Sequence, residues 1–274
     1  MHRTVLVKLA FLLRQDVVLG GSGFYDFVPY KYGPFSFGLY NELGALARSG
    51  YVRLSESSVG IEGKLAGEVR ERIEGLPLSI RTAVGRVTKQ YGRMKRGELI
   101  QDVYERFPWY ISGSELKGML PGEIRQRSAA PCAVYTAGYE GMSIDAFLDK
   151  LLRNGMARIV DVRSNPVSRK YGFAKRSLGE IATKLQLQYR HLPELGIPSS
   201  YRSNLGDYES YQRLLWQYES DVLPKRQGEV LELAGLLREA PSVLVCFERD
   251  VRCCHRGRLA DATAKASGLE VVHI

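Results

Sequence analysis

The sequence lacks any apolar run close to the roughly 20 residues needed to span a bilayer. Its N-terminus has only a short apolar stretch flanked by Arg3 and Lys8, without the longer apolar core and small-residue cleavage site of a secretory signal. Cysteine is also scarce, since four residues in a chain of 274 cannot form a disulfide scaffold. These absences predict a cytoplasmic protein with no membrane partner.

Basic residues outnumber acidic ones by 39 to 30, which gives a formal net charge of +9. A positive field attracts phosphates, nucleic acid or acidic membrane surfaces. Hydrophobic residues make up 45% of the chain and charged residues 25%, as in globular proteins, so we expect packed cores rather than disorder. The length suffices for two ordinary domains.

The first half predicts a mainly helical domain over residues 1–115. Thr4 is predicted to cap an amphipathic helix, and Ser36 to cap a second helix that ends at Gly50. The inward face of the second helix is expected to consist of Leu39, Leu43, Leu46 and Ala47. A strand and two further helices are predicted at 51–54, 79–90 and 97–107. This order is typical of a winged-helix module, and because no Cys or His pair occurs here, we assign the domain to binding.

Beyond a linker predicted at 116–131, strands and helices alternate over residues 132–274. Ser143 caps one amphipathic helix, and Ser177 with Glu180 predicts a capping box for another. The other elements are predicted at 133–136, 158–162, 188–192, 208–222, 228–239, 242–247, 257–266 and 270–274. This alternation predicts an α/β fold, a mostly parallel sheet with covering helices in a Rossmann-like three-layer arrangement.

Polar or reactive residues follow four of the predicted strands. They are Thr136, Gly138 and Tyr139 after the first, Asp161, Arg163, Ser168 and Arg169 after the second, His191 after the third, and Cys246, Glu248, Cys254, His255 and Arg256 after the long apolar strand. Ligands of open parallel sheets bind outside the carboxyl ends of the strands. Convergence of such residues at that edge predicts a functional site.

The cysteine-rich segment offers the most specific chemistry. A helix N-terminus and nearby arginines would lower the pKa of the Cys254 thiol, and the thiolate would act as a nucleophile while His255 or Glu248 moves protons. The alternative is plain packing of these cysteines. A metal is the rival use, but Cys-x6-Cys-Cys-His is not a usual zinc spacing, and adjacent residues rarely reach one ion. We therefore predict neither a metal nor a cofactor.

Asp161 and Arg163 lie two residues apart after an apolar strand, so their side chains point the same way. One would orient a base or ribose and the other would bind phosphate, or the two would form an internal salt bridge. The surrounding segment 158–176 holds six basic residues and one acid. With Tyr171 and Phe173 it predicts a phosphate-binding loop with a stacking platform, or else a solvated basic loop.

Several of these motifs, in the same order, resemble the family known as domain of unknown function 488. The motifs are Tyr135-Thr-Ala-Gly-Tyr-Glu140, Asp161-Val-Arg163, His191-Leu-Pro, Cys246-Phe-Glu248, Cys254-His255-Arg256 and Val271-Val-His-Ile274. The resemblance covers nearly all of residues 132–274, although Cys253 beside Cys254 departs from the family pattern. It implies an α/β domain and no settled activity.

The first half is similar, over a shorter stretch, to antitoxin-like domains of the Panacea type. The similarity lies in three segments, Phe27-Val-Pro-Tyr-Lys-Tyr-Gly-Pro34, Leu39-Tyr-Asn-Glu-Leu43 and Gly50-Tyr-Val52. Such domains resemble winged helices and are linked to toxin–antitoxin and phage-defence contexts. The resemblance therefore implies a setting for the protein rather than a reaction.

Two functions are compatible with these features. In the first, the C-terminal domain is an enzyme that acts on a nucleobase or nucleotide in DNA rather than RNA, as a glycosylase or a phosphodiester hydrolase. Its catalytic residues would be Asp161, Glu248, Cys254 and His255, and its substrate-binding residues Thr136, Gly138, Tyr139, Arg163, Ser168, Arg169, His191, Cys246 and Arg256. In the second, the protein is a DNA-binding regulator that senses a nucleotide or redox state. Homodimerisation is left open.

Overall fold

A computed structural model describes residues 1–16, 24–62, 66–116, 127–201 and 207–274. The chain divides into two compact units, Met1–Gln126 and Arg127–Ile274. The second unit begins five residues before the predicted boundary at Cys132, because Arg127 donates to the Leu185 carbonyl and residues 128–130 pack against a neighbouring turn. Most of the predicted linker, residues 117–126, lies outside the described residues.

The described part of the N-terminal unit contains five α-helices and two hairpins. In chain order these are α1 (Arg3–Asp16), β1 (Val28–Tyr30), β2 (Gly33–Phe35), α2 (Phe37–Arg48), β3 (Val52–Leu54), β4 (Val59–Ile61), α3 (Ala66–Glu74), α4 (Leu78–Tyr91) and α5 (Arg96–Arg106). Both strand pairs are antiparallel. The predicted helices and the strand that follows α2 are present, and the winged-helix resemblance stays a prediction.

The N-terminal core forms around Phe11 on α1, whose ring makes edge contacts with Phe27, Phe107 and Tyr110. Ser36 caps α2 as predicted, since its side chain accepts from the Leu39 backbone N–H. The predicted inward face of α2 is wrong at Leu46, which is 43% exposed. The helical period places that residue beside the core, but in the structure it lines an open groove together with Val52 of β3 and Ile73 of α3.

The C-terminal unit alternates strands and helices. In chain order these are β5 (Val134–Gly138), α6 (Ile144–Arg153), β6 (Arg158–Asp161), α7 (Lys175–Lys184), β7 (Gln188–His191), α8 (Tyr208–Gln217), α9 (Gln227–Glu239), β8 (Ser242–Cys246), α10 (His255–Ser267) and β9 (Val271–His273). A π-helical turn, Tyr218–Val222, extends α8. The predicted α/β three-layer fold is confirmed.

Five strands form one sheet in the order β7-β6-β8-β5-β9, and every described pairing is parallel. β5, β6 and β8 are buried along their whole length, which explains why the sequence reads there as apolar runs rather than as alternating residues. On one face Val160 and Leu244 pack with Leu233 of α9 and Leu259 of α10.

Two predicted helix starts are wrong. The capping box of Ser177 and Glu180 does not form, because α7 already begins at Lys175; Ser177 instead donates to the Ala174 carbonyl, and Glu180 pairs with Arg176. The last helix begins at His255, two residues earlier than predicted. This earlier start puts His255 and Arg256 in the first helical turn.

No helix within the described ranges is long and apolar enough to cross a membrane. The longest described helices, α1 and α4, have 14 residues each, against roughly 20 for a bilayer span.

Lys8 on α1 is a buried cation in the N-terminal core. Its Nζ donates to the Pro34 carbonyl at 3.0 Å, and its side chain is almost fully enclosed. Burial lowers the pKa of Lys8 from 10.5 to about 7. In the unfolded chain the group keeps its proton up to its ordinary pKa, so folding favours the neutral amine.

We predict that the N-terminal unit becomes more stable as the pH rises from 7 towards 10. Below pH 7 the folded state holds Lys8 in its charged form, and burying this charge lowers the free energy of unfolding. Between the folded pKa of about 7 and the unfolded pKa of 10.5, only the folded state loses the proton, so the free energy of unfolding rises with pH. Lys8→Met should raise the free energy of unfolding at pH 6, where the wild type carries the buried charge, and flatten this pH dependence. Urea unfolding at several pH values measures both effects, with exposed Lys89→Met as the control. Parallel pH profiles for Lys8→Met and the wild type would contradict the prediction.

Candidate functional site

The carboxyl ends of the parallel strands meet at one edge of the sheet. Gly138 at the end of β5 lies opposite Cys246 of β8, and Asp161 at the end of β6 lies opposite His191 of β7. The strand-end residues predicted from the sequence therefore share this edge. They separate into two groups, one around Asp161 and one around Cys254.

The Asp161 carboxylate is completely buried and fully hydrogen-bonded. Its Oδ1 accepts from the backbone N–H and Nε of Arg163 at 3.2 and 2.8 Å, and its Oδ2 accepts from Arg163 Nη2 and from the Tyr189 hydroxyl at 2.5 and 2.6 Å. Four bonds use all the lone pairs that a carboxylate offers. Burial raises the pKa of Tyr189, and the Asp161 charge raises it further, so the phenol stays protonated and donates.

Arg163 belongs to the same hydrogen-bond network as Asp161. Its Nη1 donates to the Tyr139 hydroxyl at 2.6 Å and to the Phe173 carbonyl at 2.9 Å, while its own carbonyl lies 2.8 Å from His191 Nε2. Of the two arrangements left open for Asp161 and Arg163, the structure contains the internal ion pair. The geometry thus gives these residues a positioning role and leaves the carboxylate no lone pair for a water.

The stacking platform predicted for the segment 158–176 is wrong at Phe173. This ring is 0% exposed and stacks on Tyr139 with the ring centroids 4.0 Å apart, so neither ring has a free face there for a base. Arg158 is also buried, and it donates to the Leu236 carbonyl. Arg169, Lys170 and Tyr171 are exposed, as in the solvated basic loop that was the alternative.

Three further predicted substrate-binding residues have internal partners. Thr136 Oγ1 lies 2.8 Å from His273 Nδ1, across neighbouring strands. Ser168 accepts from the Lys170 backbone N–H at 3.1 Å. Gly138 lies under the loop after β8, where any Cβ would overlap the Glu248 carbonyl oxygen. Glycine at 138 is therefore explained by a close backbone approach without any ligand.

The second group brings Cys246, Glu248, Cys254 and His255 together. The Cys246 thiol donates to Glu248 Oε2 at 3.2 Å, and its Sγ lies 3.7 Å from His255 Nδ1. The Cys254 Sγ lies 4.0 Å from the same nitrogen. We call these four residues the thiol cluster. Only Glu248 among them is partly exposed.

The orientation of the His255 ring follows from a backbone contact. Its Nε2 lies 3.0 Å from the Val162 carbonyl oxygen, which can only accept, so Nε2 carries the proton and Nδ1 presents its lone pair to the two sulfurs. Cys254 is the extended N-cap of α10 and His255 is its first residue. This change of backbone direction lets adjacent side chains converge, which corrects the expectation that they would not.

Arg256 does not serve as the predicted phosphate ligand, because it holds the loop after β8. Its guanidinium is buried and donates through Nη1 to the Glu248 carbonyl and through Nη2 to the Arg249 carbonyl at 3.0 Å. Together with the close approach at Gly138, these bonds fix the backbone that carries Glu248.

The predicted lowering of the Cys254 thiol pKa is wrong. Burial raises the pKa of Cys254 well above its usual value, and the neighbouring Cys246 adds to this. Burial also acts to raise the pKa of Glu248, but hydrogen bonds from the two thiols outweigh it and hold that pKa below its ordinary value. The cluster thus contains protonated thiols that donate to an ionised carboxylate.

A cleft of about 320 Å³ opens beside the thiol cluster, and Cys254 forms part of its wall. The other polar residues that line it are Tyr208, Gln212, Arg252, Arg258, Asp261 and His273. Sequence reasoning missed most of these. The signal was available on α10, where positions 254, 257, 258 and 261 follow the i, i+3, i+4, i+7 spacing of one helix face.

The second unit is thus a parallel α/β domain. At the carboxyl edge of its sheet it contains a cluster of two thiols, an imidazole and a carboxylate. Residues 143–263 match the family described as Domain of unknown function DUF488, which confirms the resemblance over this segment. The match runs from the cap of α6 into α10 and includes Asp161 and the whole thiol cluster. No curated protein and no solved structure matches the chain.

We predict that Gly138→Ala destabilises the C-terminal unit by about 1–3 kcal/mol, because the new methyl group must displace the Glu248 backbone. The matched control is Gly235→Ala on α9, where a Cβ meets nothing within 4 Å and a helical alanine adds up to about 1 kcal/mol of stability. Urea unfolding measures both changes. Equal stability of the two variants would contradict the close approach.

We predict that Asp161→Asn lowers the free energy of unfolding by about 3–5 kcal/mol, because Arg163 would remain buried without its counter-charge. Tyr189→Phe removes one hydrogen bond to the same carboxylate and should cost only about 1 kcal/mol. Chemical denaturation of both variants tests the order of the effects. An Asp161→Asn variant of unchanged stability would speak against a structural ion pair.

Proposed function

We propose that the C-terminal unit is a hydrolase that acts on a nucleotide unit of DNA, with the thiol cluster as its reaction centre. One observation carries this proposal: Cys254 belongs both to the thiol cluster and to the wall of the 320 Å³ cleft. A substrate held in the cleft would therefore lie against Cys254, next to the other members of the cluster. The volume suits one small ligand moiety, since ligand pockets begin at about 300 Å³.

The chemistry of the cleft wall supports a nucleotide as the ligand. Arg252 and Arg258 have guanidinium groups suited to phosphate, and their present partners, Asp250 and Glu219, are exposed carboxylates that bind them weakly. Tyr208 is exposed on the same wall and would stack on a flipped base.

Hydrolysis needs a group that takes a proton from water. In this proposal that group is Glu248, whose backbone is fixed by Arg256 while its side chain stays partly exposed. Cys254 and His255 would move protons beside it. Asp161, first expected to activate water, instead positions the site: with Arg163 it holds the backbone on both sides of the Val162 carbonyl that orients His255.

DNA as the partner is supported by charge. The chain carries a net charge of +9, and α4 of the N-terminal unit exposes Arg81, Arg86 and Lys89. A winged-helix-like unit with such residues would bind the phosphates of a duplex. The proposal needs reduced thiols, in line with the cytoplasmic location predicted from the sequence.

A second candidate function rests on the sulfur atoms. Cys246 and Cys254 have Sγ atoms within 4.8 Å of each other, close enough for a redox change to join them after a small movement. The protein would then be a DNA-binding regulator that senses the redox state. This candidate differs from the first because it requires no turnover.

The test is incubation of the full chain with modified and unmodified DNA duplexes and single strands, followed by detection of released bases or nicks. We expect turnover to fall by at least about 100-fold in Glu248→Gln, with DNA binding retained. Cys253→Ser is the matched control, since that residue lies outside the thiol cluster, and it should keep its activity. Specific DNA binding without turnover on any substrate would overturn the hydrolase proposal and favour the regulator.

A further inference from the structure

Three of the four residues of the thiol cluster present ligand atoms to one point. Cys246 Sγ, Cys254 Sγ and His255 Nδ1 all lie within 4.8 Å of one another, and each of the three residues is only 2% exposed. Two sulfurs and an imidazole nitrogen that converge inside a protein form a ligand set for a metal ion, because each atom offers a lone pair to the same point.

The spacing suits a tetrahedral metal ion. With Zn–S bonds of about 2.3 Å and Zn–N bonds of about 2.0 Å, ligand atoms around tetrahedral zinc lie roughly 3.6–3.8 Å apart. The sulfur-to-nitrogen distances here are 3.7 Å for Cys246 and 4.0 Å for Cys254. Both sulfur-to-nitrogen distances are thus within a few tenths of an ångström of those around a bound zinc ion, and the two sulfurs lie within 4.8 Å of each other.

The surroundings of His255 are those of a metal ligand. Its Nε2–H donates to the Val162 carbonyl at 3.0 Å, which leaves the Nδ1 lone pair directed at the sulfurs. Metal-bound histidines commonly donate their other ring N–H to a carbonyl or carboxylate in this way. The Asp161–Arg163 pair, which flanks Val162, fixes that carbonyl.

We propose that Cys246, Cys254 and His255 bind one thiophilic divalent metal ion, for which Zn²⁺ has the matching preference for sulfur and imidazole. Three protein ligands with one open position are the pattern of catalytic rather than structural zinc. Cys254 also lines the cleft, so the site lies beside it. The ion would occupy the centre proposed for hydrolysis, where Cys254 and His255 would act as its ligands rather than move protons. Metal binding itself requires no nucleic acid, so it is tested separately from turnover.

Binding is a ligand exchange without a change of oxidation state. Each of the two S–H bonds breaks, each sulfur forms a bond to the ion, and both protons leave for solvent. Glu248, 3.2 Å from Cys246 Sγ, is the nearest acceptor for the first of these protons. His255 keeps its proton on Nε2 throughout.

The experiment uses the full chain, purified with a reductant, stripped by a chelator and titrated with Zn²⁺ or Co²⁺. We expect one equivalent of metal by elemental analysis and a sulfur-to-cobalt charge-transfer band. A wild-type chain that takes up no stoichiometric metal while its thiols are reduced would overturn the proposal.

Adjacent cysteines supply a matched pair of variants. Cys254→Ser should weaken Co²⁺ binding by more than about 100-fold, whereas Cys253→Ser should bind like the wild type, and His255→Gln should also lose the ion. Equal binding by the two serine variants would overturn the proposal. If Cys254→Ser does not fold, stoichiometric Co²⁺ uptake with its charge-transfer band in the wild type and in Cys253→Ser still decides. Metal binding without turnover would refute the hydrolase alone, and turnover by metal-free protein would refute a catalytic role for the ion.

Discussion

The buried ion pair between Asp161 and Arg163 is the interaction on which the rest of the sheet edge depends. A carboxylate without solvent is tolerable only when every lone pair has a donor, and Arg163 with Tyr189 supplies all four bonds. The pair holds the chain on both sides of Val162, whose carbonyl orients His255. The Asp161–Arg163 pair takes no direct part in chemistry, but it thereby sets which nitrogen of His255 faces the two sulfurs.

The two groups at the edge divide structural and chemical roles. Around Asp161 the hydrogen bonds are complete and the rings of Tyr139 and Phe173 are stacked, so that part is a rigid support. Around Cys254 the donors are protonated thiols, one imidazole nitrogen faces both sulfurs, and a cleft lies alongside. The thiol cluster is small, and contacts from neighbouring residues hold it in place: the Val162 carbonyl orients His255, and Arg256 fixes the Glu248 backbone.

Much of this arrangement could be predicted from local sequence rules. Apolar runs marked β5, β6 and β8, because a parallel strand that is buried on both faces has no polar side. The carboxyl-edge rule then selected Cys246 and the residues after it without any structure. Local rules failed where contacts in space decided the outcome. Ser177 could not cap α7, because that helix begins earlier, at Lys175. Leu46 lies at a position that the helical period predicts to be buried, but its side chain is 43% exposed.

The order of the elements, the parallel sheet and the residues at its edge could be predicted from the chain alone, because periodicity, caps and strand ends are local properties. What those residues do depends on which atoms surround them after folding. Whether Asp161 is a base or an anchor depends on how many donors reach it, and whether Cys254 and His255 converge depends on the backbone turn into α10. The last donor to Asp161, Tyr189, comes from β7, and Cys246 of β8 meets His255 of α10, so no spacing along the chain specifies these contacts.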